Sequence, residues 1–142
     1  MRWIIVASLL GFVAAAVAAD VGEIKTVSGS AQLERGGQRL PVRAGMPVQQ
    51  SDKLVTGADG SIGVTFTDNS LLSIGPNSAL AIDRYVFDST THAGQFETSL
   101  SKGTLAVISG KIVKQSPDAM RVRTPSSIMG VRGTEFAVRV SD

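Results

Sequence analysis

The chain has 142 residues, a formal net charge of +2, no cysteine and a single histidine. A charge this close to neutrality lacks the basic excess with which proteins bind nucleic acid, so we expect no nucleic-acid partner. Without cysteine there is no disulfide framework and no thiol chemistry, and one histidine cannot form a multi-histidine metal site. We therefore expect no metal and no other cofactor.

The first 19 residues have the pattern of a secretory signal peptide. Arg2 precedes an apolar run over residues 4–17, and small residues lead to Ala19. The run is short for a membrane span, which needs about 20 apolar residues. We expect cleavage after Ala19 and release of residues 20–142 into the periplasm or the medium. The alternative is an uncleaved anchor, and only then is the membrane a partner.

Apolar and polar side chains alternate through most of the remaining chain, which is typical of strands with one buried face. The alternating segments are 62–66, 72–74, 80–82, 105–107, 120–122 and 136–140. No window outside the leader has a sustained helical period. The pattern predicts an all-β domain over residues 20–142, folded as a single compact sandwich or roll of short strands.

Turn residues lie between the strand segments. Gly-Gly at 36–37 and Asp-Gly at 59–60 are expected to form tight hairpins, because such turns need residues with positive φ. Asp-Asn at 68–69 is expected to do the same, since asparagine tolerates that conformation. The polar stretch 87–95 has the composition of an exposed loop.

Three acidic residues near turns, Asp52, Asp59 and Asp68, could suggest calcium, which collects several oxygen ligands from one loop. Whole strand segments separate them, and aspartate at a turn commonly caps backbone N–H groups. We therefore interpret them as caps. His92 lies in the polar stretch 87–95 and is interpreted as a solvated loop residue.

The segment 124–136 contains a Gly-x-x-Gly spacing, one arginine and one carboxylate. A phosphate cradle needs a strand that leads into a helix, and a lysine after the second glycine, and the segment has neither. We interpret it as a structural corner in which Gly133 relieves a crowded or positive-φ position. Arg132 is expected to be at least half buried and to bind backbone carbonyls or a carboxylate such as Asp52 or Asp68.

An enzymatic function is disfavoured. A glycosidase would need two opposed carboxylates in a cleft lined with aromatic rings. Trp3 leaves with the predicted leader, and only Tyr85 and a few phenylalanines remain. We expect that the protein is not an enzyme.

Several short motifs follow one another along the chain. An Asp-x-Leu-x-Thr-Gly segment begins at Asp52, a Phe-x-Asp-x-Ser turn begins at Phe66, and a Gly-Val-Arg-Gly-Thr-Glu-Phe segment ends at Phe136. In this order, over residues 24–140, they resemble the FecR domain. That domain is the extracytoplasmic β-domain of iron-uptake signal regulators and of many exported proteins of Gram-negative bacteria. Asn69 stands where the family usually has glycine, and it too accepts positive φ.

The resemblance implies that the motif residues support the fold rather than a reaction. They are Asp52, Thr56, Gly57, Phe66, Asp68, Ser70, Pro125, Arg132, Gly133, Thr134 and Phe136. It implies no catalytic residue and no metal-binding or cofactor-binding residue.

We expect neither the sigma-factor-binding tail nor the additional transducer-binding domain of the iron-signalling members of the family. The expected function is that of a stand-alone, non-catalytic binding or scaffold module of the cell envelope. Its partner would be an envelope protein or polymer, reached for example through an exposed sheet edge. The alternative is a membrane-anchored periplasmic sensor or regulator domain in signalling of the iron-uptake type.

Overall fold

The computed structural model describes residues 19–131 and 133–141. Apart from Ala19, the predicted signal peptide lies outside the described residues. These residues are mostly strand, and the predicted all-β class is confirmed. The elements are β1 (Asp20–Ser28), β2 (Ala31–Arg35), β3 (Gln38–Pro41), β4 (Pro47–Gln49), β5 (Lys53–Thr56), β6 (Ser61–Phe66), β7 (Leu71–Ile74), β8 (Ala79–Phe87), β9 (Gly94–Ile108), α1 (Lys111–Gln115), β10 (Met120–Arg123), β11 (Ile128–Gly130) and β12 (Glu135–Val140).

The strands form one sheet that curls into two packed layers, and β9 belongs to both. Layer 1 has the strand order β4-β1-β6-β7-β9-β12, and layer 2 has the order β3-β2-β5-β8-β9-β10-β11. Neighbouring strands are antiparallel, except that β10 runs parallel to β9. This is the sandwich or roll that the alternation predicts, except that β9, with 15 residues, is not a short strand.

The long strand β9 passes from layer 2 to layer 1 at a β-bulge. Its register with β8 shifts by one residue at Ser101. As a result, the buried side chains of β9 are even-numbered before the bulge and odd-numbered after it. Gly103 has a φ of 92°, and a Cβ there would lie 2.5 Å from the Cα of Ser78. Only glycine fits this position, because a side chain would be both strained and in collision.

The predicted turns have two different roles. The pairs at 36–37 and 68–69 form the predicted hairpins, with positive φ at Gly36, Gly37 and Asn69. The hairpin predicted at 59–60 is wrong, because β5 lies in layer 2 and β6 in layer 1. There the chain passes between layers, and a Cβ on Gly60 would lie 2.1 Å from the carbonyl oxygen of Ser30.

The two layers enclose an aliphatic core with one aromatic cluster. Phe66 of layer 1 packs against Tyr85 and Phe96 of layer 2, with ring centroids 4.6 to 5.4 Å apart. Phe66 and Phe96 are fully buried. Phe136 packs against the core but is only partly buried, because β12 is the last strand of layer 1.

The short helix α1 follows β9 and has two buried residues, Ile112 and Val113. Sequence periodicity did not predict it, because five residues are too few to show a helical repeat. The predicted loop 87–95 is shorter in the structure, since β8 ends at Phe87 and β9 begins at Gly94.

Candidate functional site

Asp52 lies where the chain passes from β4 of layer 1 to β5 of layer 2. Its carboxylate is buried and accepts two hydrogen bonds from Arg35, at 2.9 Å from Nε and 2.7 Å from Nη2. It also accepts the N–H of Gln49 at 2.8 Å. The guanidinium donates a further bond to the carbonyl of Pro47. The hydrogen bond to Asp52 raises the pKa of Arg35. This fork-shaped pair joins β2 to the β4–β5 crossing.

Thr56 and Gly57 occupy the next crossing between layers. The Thr56 hydroxyl donates to the carbonyl of Gly75 at 2.6 Å and accepts the N–H of Ser78 at 2.9 Å. The N–H of Gly57 donates to the carbonyl of Ser30 at 2.9 Å. Thr56 therefore connects the β5–β6 crossing to the β7–β8 crossing, and Gly57 connects it to the turn between β1 and β2. All three bonds involve backbone groups of the partner residues.

Asp68 and Ser70 close the β6–β7 hairpin. Both residues are fully buried. The Asp68 carboxylate accepts the N–H of Ser70 at 3.1 Å and the Ser70 hydroxyl at 2.7 Å. The Ser70 hydroxyl in turn accepts the N–H of Gly110 at 3.1 Å. The hairpin is thereby connected to the segment between β9 and α1.

Asp68 also binds groups from layer 2 and from α1. Its carboxylate accepts the hydroxyl of Tyr85 at 3.2 Å and the N–H of Ile112 at 3.3 Å. Its own N–H donates to the Tyr85 oxygen at 2.9 Å. Burial raises the pKa of Tyr85, and the charge of Asp68 acts in the same direction. Among the described residues, every donor to this carboxylate is neutral.

The segment 124–136 crosses from layer 2 to layer 1. Pro125 is exposed in the turn before β11. Gly133 has a φ of 86°, so it occupies the predicted positive-φ position. Its carbonyl accepts the hydroxyl of Ser109 at 2.6 Å, and the carbonyl of Thr134 accepts the Ser109 N–H at 2.8 Å. Arg132 lies outside the described residues, so its expected contacts stay a prediction.

The remaining acidic and histidine candidates lie at turns. Asp59 is exposed, and its carboxylate accepts the N–H of Ser30 at 3.2 Å, which lowers the pKa of Asp59. His92 has a φ of 62° and stacks on Phe87 with a centroid distance of 6.1 Å. Over residues 19–131 and 133–141, no group of three or more acidic or histidine side chains is placed to hold a metal ion.

Sequence reasoning missed the partners of the motif aspartates. Arg35 directly precedes the predicted Gly-Gly turn at 36–37, and Tyr85 is the one tyrosine in the sequence, but neither position indicates its partner. Neither is adjacent in sequence to its partner, since Arg35 lies 17 residues before Asp52 and Tyr85 lies 17 residues after Asp68. No local pattern signals such pairs. The pairing of β2 with β5 brings Arg35 to Asp52, and the packing of layer 2 on layer 1 brings Tyr85 to Asp68.

The β10–β11 hairpin forms an exposed surface at the edge of layer 2. Ile128 is 61% exposed, the highest value among the large hydrophobic residues in the described part of the chain. Arg123 lies directly opposite Ile128, and Arg121 lies beside Glu97 of β9. Both arginines are exposed, and neither side chain forms a hydrogen bond or ion pair with another described residue. We call Arg121, Arg123 and Ile128 the hairpin surface.

No helix in the described part of the chain is long and apolar enough to cross a membrane.

Comparison with known proteins gives one match. Residues 52–142 match the family described as FecR protein. This family is associated with periplasm-facing regulators of iron-uptake-type signalling. No curated protein and no solved structure gives a significant match. Because the match covers more than half of the chain and includes all the motif residues described above, this protein belongs to the FecR family.

Proposed function

We propose that this protein is a periplasm-facing regulatory domain in signalling of the iron-uptake type, and that it acts by protein contact. The observation that carries this proposal is its membership of the FecR family. Membership favours the sensor or regulator alternative over a general envelope scaffold. In this proposal the apolar segment 4–17 remains attached and holds the domain at the membrane.

The roles of the motif residues support action by contact. Asp52, Thr56, Asp68 and Ser70 are all buried, and their polar atoms bond to the chain itself. Buried groups with satisfied hydrogen bonds stabilise a scaffold and are not available to a ligand. The surface of the domain is therefore the part that a partner meets.

The hairpin surface is the proposed contact. Arginine and large apolar side chains are enriched where proteins bind each other, and they often dominate the binding free energy. Ile128 supplies exposed apolar area, while Arg121 and Arg123 supply cationic groups that lack partners among the described residues. A protein with an apolar side chain flanked by carboxylates would complement this surface.

Genetic complementation tests the proposal. Deletion of the gene should alter the transcription of iron-uptake genes when iron is limiting, and the wild-type chain should restore the response. Ile128→Asp should fail to restore it, whereas Val86→Asp should succeed. Val86 is the matched control, because it is also an exposed apolar residue on a strand of layer 2.

The attachment of the domain is tested in the same strain. Replacing residues 1–19 by a leader that is certainly cleaved should release the domain and abolish the response. If the response survives release of the domain, the anchored form is wrong. If deletion leaves iron-responsive transcription unchanged, the scaffold alternative is favoured over regulation.

A further inference from the structure

The outer edge of β12 ends layer 1. Among the described strands, β12 pairs only with β9. The N–H of Ser109 donates to the carbonyl of Thr134, which turns the backbone groups of Thr134 toward β9. Successive residues of a strand point their backbone groups to opposite sides. The N–H and C=O groups of Glu135, Ala137 and Arg139 therefore point to the open edge.

The side chains of β12 are arranged symmetrically about Ala137. Glu135 and Arg139 lie two residues to either side, both are exposed, and neither forms an ion pair with another described residue. Phe136 and Val138 lie on the opposite face and are only partly buried against the core. The strand thus carries opposite charges on one face and incompletely covered apolar groups on the other.

We propose that two copies of the chain pair through their β12 strands, antiparallel and centred on Ala137. In this register Glu135 of each copy lies opposite Arg139 of the other, and Phe136 lies opposite Val138. The outward backbone groups of Glu135, Ala137 and Arg139 pair across the two-fold axis. Layer 1 then continues from one copy into the next as a single sheet.

Charge complementarity identifies the second copy as the occupant of this edge. Shifting the register by two residues in either direction places Arg139 opposite Gly133 or Ala137 and removes both charge pairs. The central register is therefore the one that the side chains favour, since opposite charges on facing strands stabilise pairing. The other terminal strands are less suited to pairing: β3 and β4 each contain a proline, and β11 has only three residues.

The contact is limited to one six-residue strand from each copy. An interface of this size is smaller than that of most permanent complexes. The pairing is consequently reversible, and the dimer fraction rises with protein concentration.

Cysteine cross-linking of the full-length chain in cells tests this pairing. The chain has no cysteine of its own, so a single introduced thiol reports one position. In the proposed dimer the two Ala137 residues face each other at about 5.5 Å, within reach of a disulfide. The matched control is Ala106, which lies opposite Ala137 on β9. Its two copies would be about 14 Å apart, which is too far.

Under mild oxidation, Ala137→Cys should give a covalent dimer and Ala106→Cys should not. In the Ala137→Cys chain, Arg139→Glu or Glu135→Lys should each reduce the dimer about tenfold, because like charges then face each other twice. The two changes together should restore it. Arg43→Glu makes the same charge change on an exposed loop and should have no effect.

Three results would overturn the pairing. They are a lack of dimer from Ala137→Cys, equal cross-linking of Ala137→Cys and Ala106→Cys, and failure of the charge exchange to restore the dimer. The restoring double variant also distinguishes lost pairing from misfolding, because a misfolded chain would not regain its dimer.

Discussion

Asp52 and Asp68 are both buried aspartates of the family motif, yet their charges are stabilised in different ways. The Asp52 carboxylate forms an ion pair with Arg35, whose side chain is 31% exposed and therefore accessible to water. Asp68 is fully buried, and its described donors are hydroxyl and backbone N–H groups. The first arrangement resembles a surface ion pair with one buried end. The second is a buried hydrogen-bond network that joins the β6–β7 hairpin to β8 and to α1.

The difference indicates which site is more sensitive to substitution. Removing a partner from a buried hydrogen-bond network leaves several buried polar groups without bonds, and each is costly. Removing Asp52 leaves a guanidinium that water can still reach. We therefore expect the Asp68 network to contribute more to stability than the Asp52 pair.

The largest effect is expected from Asp68→Asn. The amide keeps the shape of the side chain, but its NH₂ group cannot accept the bonds from Ser70 and Ile112. We expect a loss of about 3 kcal/mol in the free energy of unfolding, against about 1–2 kcal/mol for Asp52→Asn. Urea unfolding of both variants measures the difference. Equal losses would show that the exposure of Arg35 has no energetic consequence.

The second effect concerns the cation at the Asp52 site. Arg35→Met leaves the buried carboxylate of Asp52 without its counter-ion, so we expect a loss of about 2–3 kcal/mol. The double variant Arg35→Met/Asp52→Asn should be more stable than Arg35→Met alone, because the unpaired charge is gone. Chemical denaturation of the two single variants and the double variant gives the coupling free energy between Arg35 and Asp52. If the two single losses of stability simply add in the double variant, the side chains do not form a direct pair.

The third effect is a pH dependence at the Asp68 site. Tyr85 is the only tyrosine of the chain, so phenolate absorbance reports this residue alone. Its pKa is raised above the ordinary value of about 10, mainly by burial. Above pH 10 the unfolded chain loses this proton before the folded chain does. Stability therefore falls as the pH rises, by at most about 1.4 kcal/mol per pH unit.

A spectrophotometric titration of the folded protein should show no phenolate at pH 10–11, while the protein in denaturant should titrate normally. Tyr85→Phe should remove this part of the alkaline destabilisation. Titration near pH 10 in the folded state would mean that the Tyr85 hydroxyl is accessible to water.

The smallest effect has the opposite sign. Thr98 is buried on β9, and its hydroxyl has no hydrogen-bond partner among the described residues, unlike the carboxylates of Asp52 and Asp68. Thr98→Val replaces that hydroxyl by a methyl group of similar size. We expect a gain of about 0.5–1 kcal/mol, detected as a higher melting temperature. A loss of stability would mean that the hydroxyl has a partner.

Much of the fold was predictable from local pattern. The alternation over 62–66, 105–107 and 120–122 correctly identifies strands with one buried face, and glycine and asparagine correctly mark two hairpins. The error at 59–60 has a physical cause. An Asp-Gly pair shows that the chain turns tightly, but it does not show whether the next strand pairs with the previous one or joins the other layer.

The candidate site was less predictable than the fold. The motif itself marks Asp52 and Asp68, because both lie beside turns where aspartate commonly caps the backbone. Nothing in the sequence indicates that Ile128 is exposed, since an isoleucine in an alternating strand usually belongs to the core. Its exposure follows from the position of β11 at the edge of layer 2.

The sequence by itself determined the all-β class, most strand positions and the family, because these depend on side-chain period, turn residues and motif order along the chain. The tertiary structure alone decided which groups meet. The pairing of β2 with β5 brings Arg35 to Asp52, and the packing of the two layers brings Tyr85 to Asp68. Strand pairing also sets the bulge that carries β9 between layers and places β12 at the edge of layer 1 among the described strands. Strand pairing joins residues distant in sequence, and its geometry is set by the packing of the whole core rather than by any local segment.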